Sequence, residues 1–248
     1  MNRIASKSIF FIGLLVDKVA GSSRWINIDA SEVKEKIRQG WNVRSPEAGV
    51  LLVDAARAGD IDTVRTLLQA GANARAKVDL RDWMDCKPLR RVASPSLFIT
   101  PIQRAKGVAV VKLLIDAGAD VNAKSALEPP LRYQVETLGD AASVRALIEA
   151  GANIEYETAF SRTVLMWAVS HSDPAIVEAL LQGGARVNAK DYSGHTALDF
   201  VRPDSPITPD QEAVIRLLLA AGAKNGDALR GGGSSPSDAS EGLKRNRH

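Results

Sequence analysis

Apolar and polar positions alternate along this chain in one recurring arrangement. In the stretch 110–120, "VVKLLIDAGAD", Val110, Val111, Leu113, Leu114 and Ala117 recur at intervals of three and four and the run stops at Gly118. Ile176, Val177, Leu180 and Leu181 do the same before Gly184. That spacing puts the apolar side chains on one stripe of a helix. A glycine just past the stripe suits a chain leaving the helix with φ > 0, a turn that costs a residue bearing a Cβ about 1 kcal/mol or more. The pattern therefore predicts a helix with a glycine stop, and the chain writes it repeatedly: "LLQAGANARAK" from 67, "LIDAGADVNAK" from 114, "LIEAGANIEYE" from 147, "LLQGGARVNAK" from 180 and "LLAAGAKNG" from 218.

Counted from stop to stop, Gly40, Gly71, Gly118, Gly151, Gly184 and Gly222 are separated by 31, 47, 33, 33 and 38 residues. Two gaps of 33 beside near-multiples mark one supersecondary unit repeated, with insertions in the third and sixth copies. A second, shorter helix is predicted upstream of each stop helix, in "VLLVDAARAGD" at 50, "TVLMWAVSHSD" at 163 and "TALDFV" at 196. Small residues there, the pair Ala55 and Ala56 or Ala168 with Val169, let one copy sit close to the next. Thr163 and Thr196 are placed to cap this helix. Gly59 or Gly139 turns the chain between the two helices of a copy, and Asp191 with Gly194 makes a tight turn between copies.

The copies 163–196, "TVLMWAVSHSDPAIVEALLQGGARVNAKDYSGHT", and 100–124, "TPIQRAKGVAVVKLLIDAGADVNAK", resemble the ankyrin repeat family, whose motifs T-P-L-H-x-A-A, V-V-x-L-L-x-x-G-A-D-V-N-A and D-x-x-G-x-T they echo in order and phase. The likeness covers roughly residues 29–225. It implies an all-α repeat solenoid of about five to six helix-turn-helix repeats, stacked with projecting β-hairpin turns, and an activity of protein binding.

Several copies depart from that pattern. In the third, Thr100 to Gly118 is three residues shorter than Thr163 to Gly184, so its inner helices or their turn are expected to be trimmed. Its inter-repeat turn gives way to a long insertion at 78–99, "VDLRDWMDCKPLRRVASPSLFI", and connections of this length inside repeat arrays tend to carry function or disorder. The fourth copy, "LEPPLRYQVETLGD", puts Glu136 at the second alanine of the motif, which predicts an irregular contact. In the sixth, Pro203, Pro206 and Pro209 are expected to block helix continuation. The first copy supplies mainly its second helix, with Val33, Ile37 and Gly40, as an N-terminal cap.

Composition narrows the picture without changing it. Aromatic residues are only 5% of the chain, so the core must be built from Leu, Val, Ile and Ala. One cysteine, Cys86, excludes an internal disulfide and any multi-cysteine metal site. The net charge is +3, and the last twenty residues, with Arg230, Lys244, Arg245 and Arg247 against Asp238 and Glu241, carry +2 of it, leaving the body nearly neutral. That distribution disfavours nucleic-acid binding, which would otherwise rest on the tail. Residues 1–28 form an N-terminal segment in which "IFFIGLLV" at 9–16 reads either as a first helix packed on the array or as the apolar part of an export signal; it is too short to span a bilayer and is the only stretch suited to membrane contact. Residues 226–248 lack the apolar content to order and are expected to form a disordered tail. The domain organisation read from the sequence is thus 1–28, an array at 29–225, and a tail at 226–248. A cytoplasmic monomer is expected, or an envelope protein if the N-terminal segment directs export.

The chemistry expected is recognition. No nucleophile elbow, H-E-x-x-H pair or phosphate loop is present, and His171, His195 and His248 are scattered, so no catalytic residues, cofactor, metal or small-molecule substrate are expected. Only a site built by Asp85 and Cys86 in the long loop would make this an enzyme. The resemblance implies that Ser170, His171 and His195 face the concave groove. It also implies that Tyr192 and Ser193 fill the variable tip of a hairpin, matched one copy earlier by Ala159, Phe160 and Arg162, with Arg57 and Ala58 at a helix end. Aromatic and arginine side chains at such tips suit binding hot spots, although Phe160 could equally cover its neighbouring repeat. Trp83, with Arg81, Arg90 and Arg91 in the long loop, reads as a recognition element or as a flap folded over the stack. Trp167 reads as core. The partner expected is a protein of unknown identity, with an exported inhibitor or immunity-type protein that blocks a toxin or enzyme as the alternative.

Overall fold

All six stop glycines adopt the conformation the pattern requires. In the computed structural model Gly40, Gly71, Gly118, Gly151, Gly184 and Gly222 have φ between +81° and +93°. The following residue then closes the helix end by a bond five residues back: Ala72 N to Leu67 O, Ala119 N to Leu114 O, Ala185 N to Leu180 O and Ala223 N to Leu218 O, at 2.9–3.0 Å. This arrangement satisfies carbonyls that a helix terminus otherwise leaves without partners. The structure describes residues 29–79, 98–124, 128–158, 160–201 and 207–226. The expectations for the N-terminal segment, for Trp83, Arg81, Asp85 and Cys86 in the long loop, for Ala159, and for the tail beyond Gly226 lie outside the described residues.

The chain divides into two units, Met1–Tyr133 with Ala150–Ala152, and Gln134–Glu149 with Asn153–His248. In the first, α1 (Ala30–Arg38) starts at Asp29, whose carboxylate accepts from Ser31 N and Glu32 N, and buries Val33. Helix α2 (Pro46–Ala58) is capped by Ser45 and opened by Pro46, and it ends at Gly59. It buries Leu51, Leu52, Val53 and Ala56. Helix α3 (Ile61–Gln69) is capped by Asp60 and packs on α1, α2 and α4 (Val108–Asp116). Each fully buried Leu or Val in this set stabilises by about 1.5–3 kcal/mol, and both helices of a copy supply them, Leu52 and Val53 from α2 and Val64 and Leu67 from α3.

The third copy is trimmed in its first helix. Thr100 is followed by a single 3-10 turn, Pro101–Arg104, in place of an α-helix, and the chain reaches Gly107 directly, with Lys106 N bonded to Ala56 O at 2.9 Å. Arg104 is buried there with its guanidinium 4.1 Å from the centre of the Tyr133 ring, at the end of the short helix α5 (Pro130–Tyr133). The two described ends of the long insertion pair: β1 (Val78–Asp79) runs antiparallel to β2 (Phe98–Ile99), with Val78 opposite Ile99. Both of those residues face the core.

In the second unit the fourth copy's first helix is wound as a π turn over Gln134–Leu138, which spans Glu136, before Gly139 and α6 (Ala141–Glu149). Helix α7 (Val164–Ser170) is capped by Thr163 Oγ1 and α8 (Pro174–Gln182) by Asp173. Ser172 takes the turn between them at φ +56°, the place Gly59 and Gly139 hold in other copies. Helix α8 packs on α6, on α7 and on α9 (Pro209–Ala220), with Leu180, Val177 and Ile176 fully buried. Gly183 stands where other copies write alanine because a Cβ there would come within 2.8 Å of Ile148 and 2.9 Å of Ile154. In the sixth copy a 3-10 turn, Ala197–Phe200, replaces the first helix. Pro209, expected only to block a helix, opens α9 at its first position behind Thr208, where a missing N–H costs nothing. Asn188 ties the fifth copy to the sixth, accepting from Lys224 N at 2.8 Å and donating to Gly222 O at 2.9 Å. Trp167, expected in the core, is half-buried instead.

Candidate functional site

The hairpin after α8 is organised by one side chain. Asp191, 4% exposed at its carboxylate, accepts from Ser193 N at 2.8 Å and His195 N at 2.9 Å through Oδ1. Its own backbone closes the loop, with Asp191 N bonded to His195 O at 2.8 Å and Gly194 N to Asp191 O at 2.9 Å. An aspartate that captures the amides two and four residues on holds a tight turn without strand pairing. Tyr192 and Ser193 are thereby set at the tip, and Tyr192 is 87% exposed.

One copy earlier a second turn lies against this one. Glu157 and Thr163 form an antiparallel bridge, and Ser161, at φ +54°, reverses the chain between them. A non-glycine residue held there costs about 1 kcal/mol. Tyr192 N donates to Phe160 O at 3.0 Å, so the two tips are joined through their backbones. Phe160 is 61% exposed.

Arg162 points the other way, into the angle between copies. Its guanidinium lies 4.7 Å from the centre of the Phe200 ring and 5.7 Å from that of Trp167, with Nε 3.8 Å from Asp191 Oδ2. His195 Nδ1 stands 3.6 Å from Asp191 Oδ1, and its ring meets Phe200 edge-on at 6.1 Å. Arg162 and His195 thus share one buried carboxylate and one aromatic ring. Beside them Arg186 is paired with Glu155, which accepts from both its backbone N and its Nε, and with Glu157 at 3.4 Å. The hydrogen bond that Arg186 donates to Glu155 raises its pKa above the usual value, with the charge of Glu155 adding to it.

The remaining sequence candidates are dispersed. Ser170 Oγ donates to Trp167 O at 2.8 Å, and His171 Nδ1 lies 2.8 Å from the same carbonyl, so both finish the end of α7. Their polar atoms are turned toward the helix, although His171 is exposed. Arg57 is half-buried in the last turn of α2, in the first unit. Among the described residues no group of three His, Cys, Asp or Glu side chains could hold a metal ion, and no helix is long and apolar enough to cross a membrane. Sequence reasoning passed over Phe200 and the Arg186–Glu155–Glu157 cluster. The available signal for Phe200 was its being the lone aromatic of "TALDFV"; for the cluster it was two acids in one turn answered by an arginine in the next.

This geometry of capped helix pairs, glycine stops and aspartate-closed hairpins coincides with a family. The family model for ankyrin repeats, in three copies, matches residues 131–228. Over these residues the chain carries ankyrin repeats. The match takes in α7, α8, the Asp191 hairpin and α9, and the described helices fit a helical repeat fold. Ankyrin repeats are in general protein–protein interaction modules and in general non-catalytic. No curated protein matches the chain.

Proposed function

We propose that this protein is a non-catalytic binding module of about five to six ankyrin-type repeats that holds a protein partner through the joined tips at Phe160–Arg162 and Tyr192–His195. The observation that carries the proposal is the exposure of Phe160 and Tyr192 on turns whose backbones are already fixed. Large aromatic side chains left in water on a rigid frame lose little ordering entropy when a partner covers them. Ser193 and His195 contribute polar contacts at the same tip, and Ser170 and His171, at the end of α7, are further candidate contacts. Arg57, and Arg81 and Trp83 of the long loop, are further candidate contacts.

The test is capture from native extract on the immobilised full chain, quantified by mass spectrometry against the double variant Phe160→Ala, Tyr192→Ala. The proposal expects a specific protein to be retained by the natural chain and reduced about tenfold or more on the variant. Equal retention by both chains rejects these tips as the contact surface.

A further inference from the structure

The first and last copies are finished differently. Counting back from each stop glycine, the residue seven places earlier is Val33, Val64, Val111, Val144 and Val177 in the first five copies, and each is 0% exposed. The sixth copy has Ile215 there, only half-buried. Three places before the stop, Leu68, Ile115, Ile148 and Leu181 are half-buried, whereas Leu219 of the sixth copy is 40% exposed. The first helical segments repeat the difference: Leu52, Ile102, Leu131 and Leu165 are at most 1% exposed, and Leu198 is half-buried. The fifth copy is closed on this side by α9 and by the turn Ala197–Phe200, which pack on α8 and α7. Among the described residues no such pair follows the sixth.

The first copy shows what a finished edge requires. Four places before its stop it carries Lys36, where the later copies bury Leu67, Leu114, Leu147, Leu180 and Leu218. Eight places before the stop it carries exposed Glu32, where they bury Thr63, Val110, Ser143, Ile176 and Val214. Polar residues of this kind keep the outer side of a terminal repeat soluble. The sixth copy is instead written as an inner one, with Leu198, Ile215 and Leu219 left for another surface to cover. Residues 202–206 and 227–248 supply only Leu229 and Leu243 as large aliphatic side chains.

The charges beside that apolar stripe select the occupant. Glu212 and Arg216 stand one turn apart on α9, with Arg216 Nε donating to the Glu212 carbonyl at 3.3 Å, and Leu219 lies two turns from Glu212. The three therefore share one side of the helix with Ile215 between them. An acid and a base on one stripe make it complementary to itself. With two α9 helices antiparallel and crossing near Ile215, Glu212 of each copy comes opposite Arg216 of the other, and the helix dipoles oppose. We infer that this protein pairs with a second copy of itself through α9, the two Ile215 side chains meeting at a twofold axis and Leu219 packing on the first turn of the facing helix. This pairing is independent of the binding function proposed above.

Sedimentation velocity of the full chain over a range of concentrations tests the pairing. A face of one helix is small, so the dimer is expected to be half-formed at about 10–100 μM and absent below about 1 μM. Leu219→Glu alters a side chain that is already exposed in the single copy, so helical circular dichroism should be kept while dimerisation weakens about tenfold or more. Glu212→Arg and Arg216→Glu each set like charges against each other and should each give a monomer. Mixed in equal amounts, the two variants again oppose acid and base and should recover the dimer. A natural chain that stays monomeric up to about 500 μM overturns the inference, and this outcome needs no variant to fold. A dimer unaffected by Leu219→Glu, or a mixture of the charge variants no more associated than its components, overturns it as well.

Discussion

Two hairpins join consecutive copies in this chain by different means. The one centred on Asp191 closes within a few residues, because a buried carboxylate takes up the amides of Ser193 and His195. The one at 78–99 is held by strand pairing at its base, Val78 with Ile99 and Asp79 with Phe98. A turn organised by a side chain fixes what stands at its tip, whereas a ladder fixes only where a longer excursion begins. The helices behind them differ in the same sense: the fifth copy has a full first helix, Val164–Ser170, and the third has one 3-10 turn, Pro101–Arg104. The stop helices Val108–Asp116 and Pro174–Gln182 have the same length and bury equivalent positions, Leu114 and Leu180. Both helices of a copy bury apolar side chains, but between these two copies the stop helix keeps its form while the first helix and the hairpin vary.

That contrast can be broken at the stop helices first. Leu180→Asp and Leu114→Asp each place a charge in a fully buried position and are expected to cost about 4 kcal/mol or more, with loss of helical circular dichroism. A cooperative, fully helical variant at either site would show that the apolar stripe has been misassigned. Asp191→Ala comes next. It removes the acceptor of two backbone amides and should lower stability by about 2 kcal/mol, measured by denaturant unfolding; an unchanged midpoint would mean that the turn is held by its backbone alone. Gly183→Ala tests the close approach of the fifth copy to the fourth. Moving Ile148 and Ile154 aside should cost about 1 kcal/mol, although alanine suits the same place in other copies. The smallest effect is expected for Phe160→Ala with Tyr192→Ala, whose stability should stay within about 0.5 kcal/mol of the natural chain while partner retention falls. A large drop in melting temperature would make these residues structural.

Much of this fold could be read from the chain because its signals are local. Each stop glycine is required by its own backbone conformation, and each stripe by its own helix, so Gly118 and Leu114 predict each other without knowledge of anything distant. The trimmed third copy was legible as a count of missing residues, but its form was not. It is a 3-10 turn whose last residue, Arg104, lies over the Tyr133 ring, a contact made across 29 residues that no local pattern announces. The same limit applies at the candidate site. Tyr192 and Phe160 stand at motif positions that are exposed by construction. Arg162 looked like one more tip residue, and only the folded chain brings it between Phe200 and Trp167. Trp167 was assigned to the core from its place on α7, yet the side chain is large enough to reach past its layer toward Arg162.

The account stands or falls on whether the two joined tips are what a partner covers. Hydrogen–deuterium exchange of the full chain, followed by mass spectrometry with and without the captured partner, reads this directly at backbone resolution. Peptides spanning 157–163 and 190–196 are expected to exchange more slowly in the complex, with the stop helix Pro174–Gln182 slow in both states. Protection confined to other segments, with these two turns exchanging at the same rate bound and free, would contradict it.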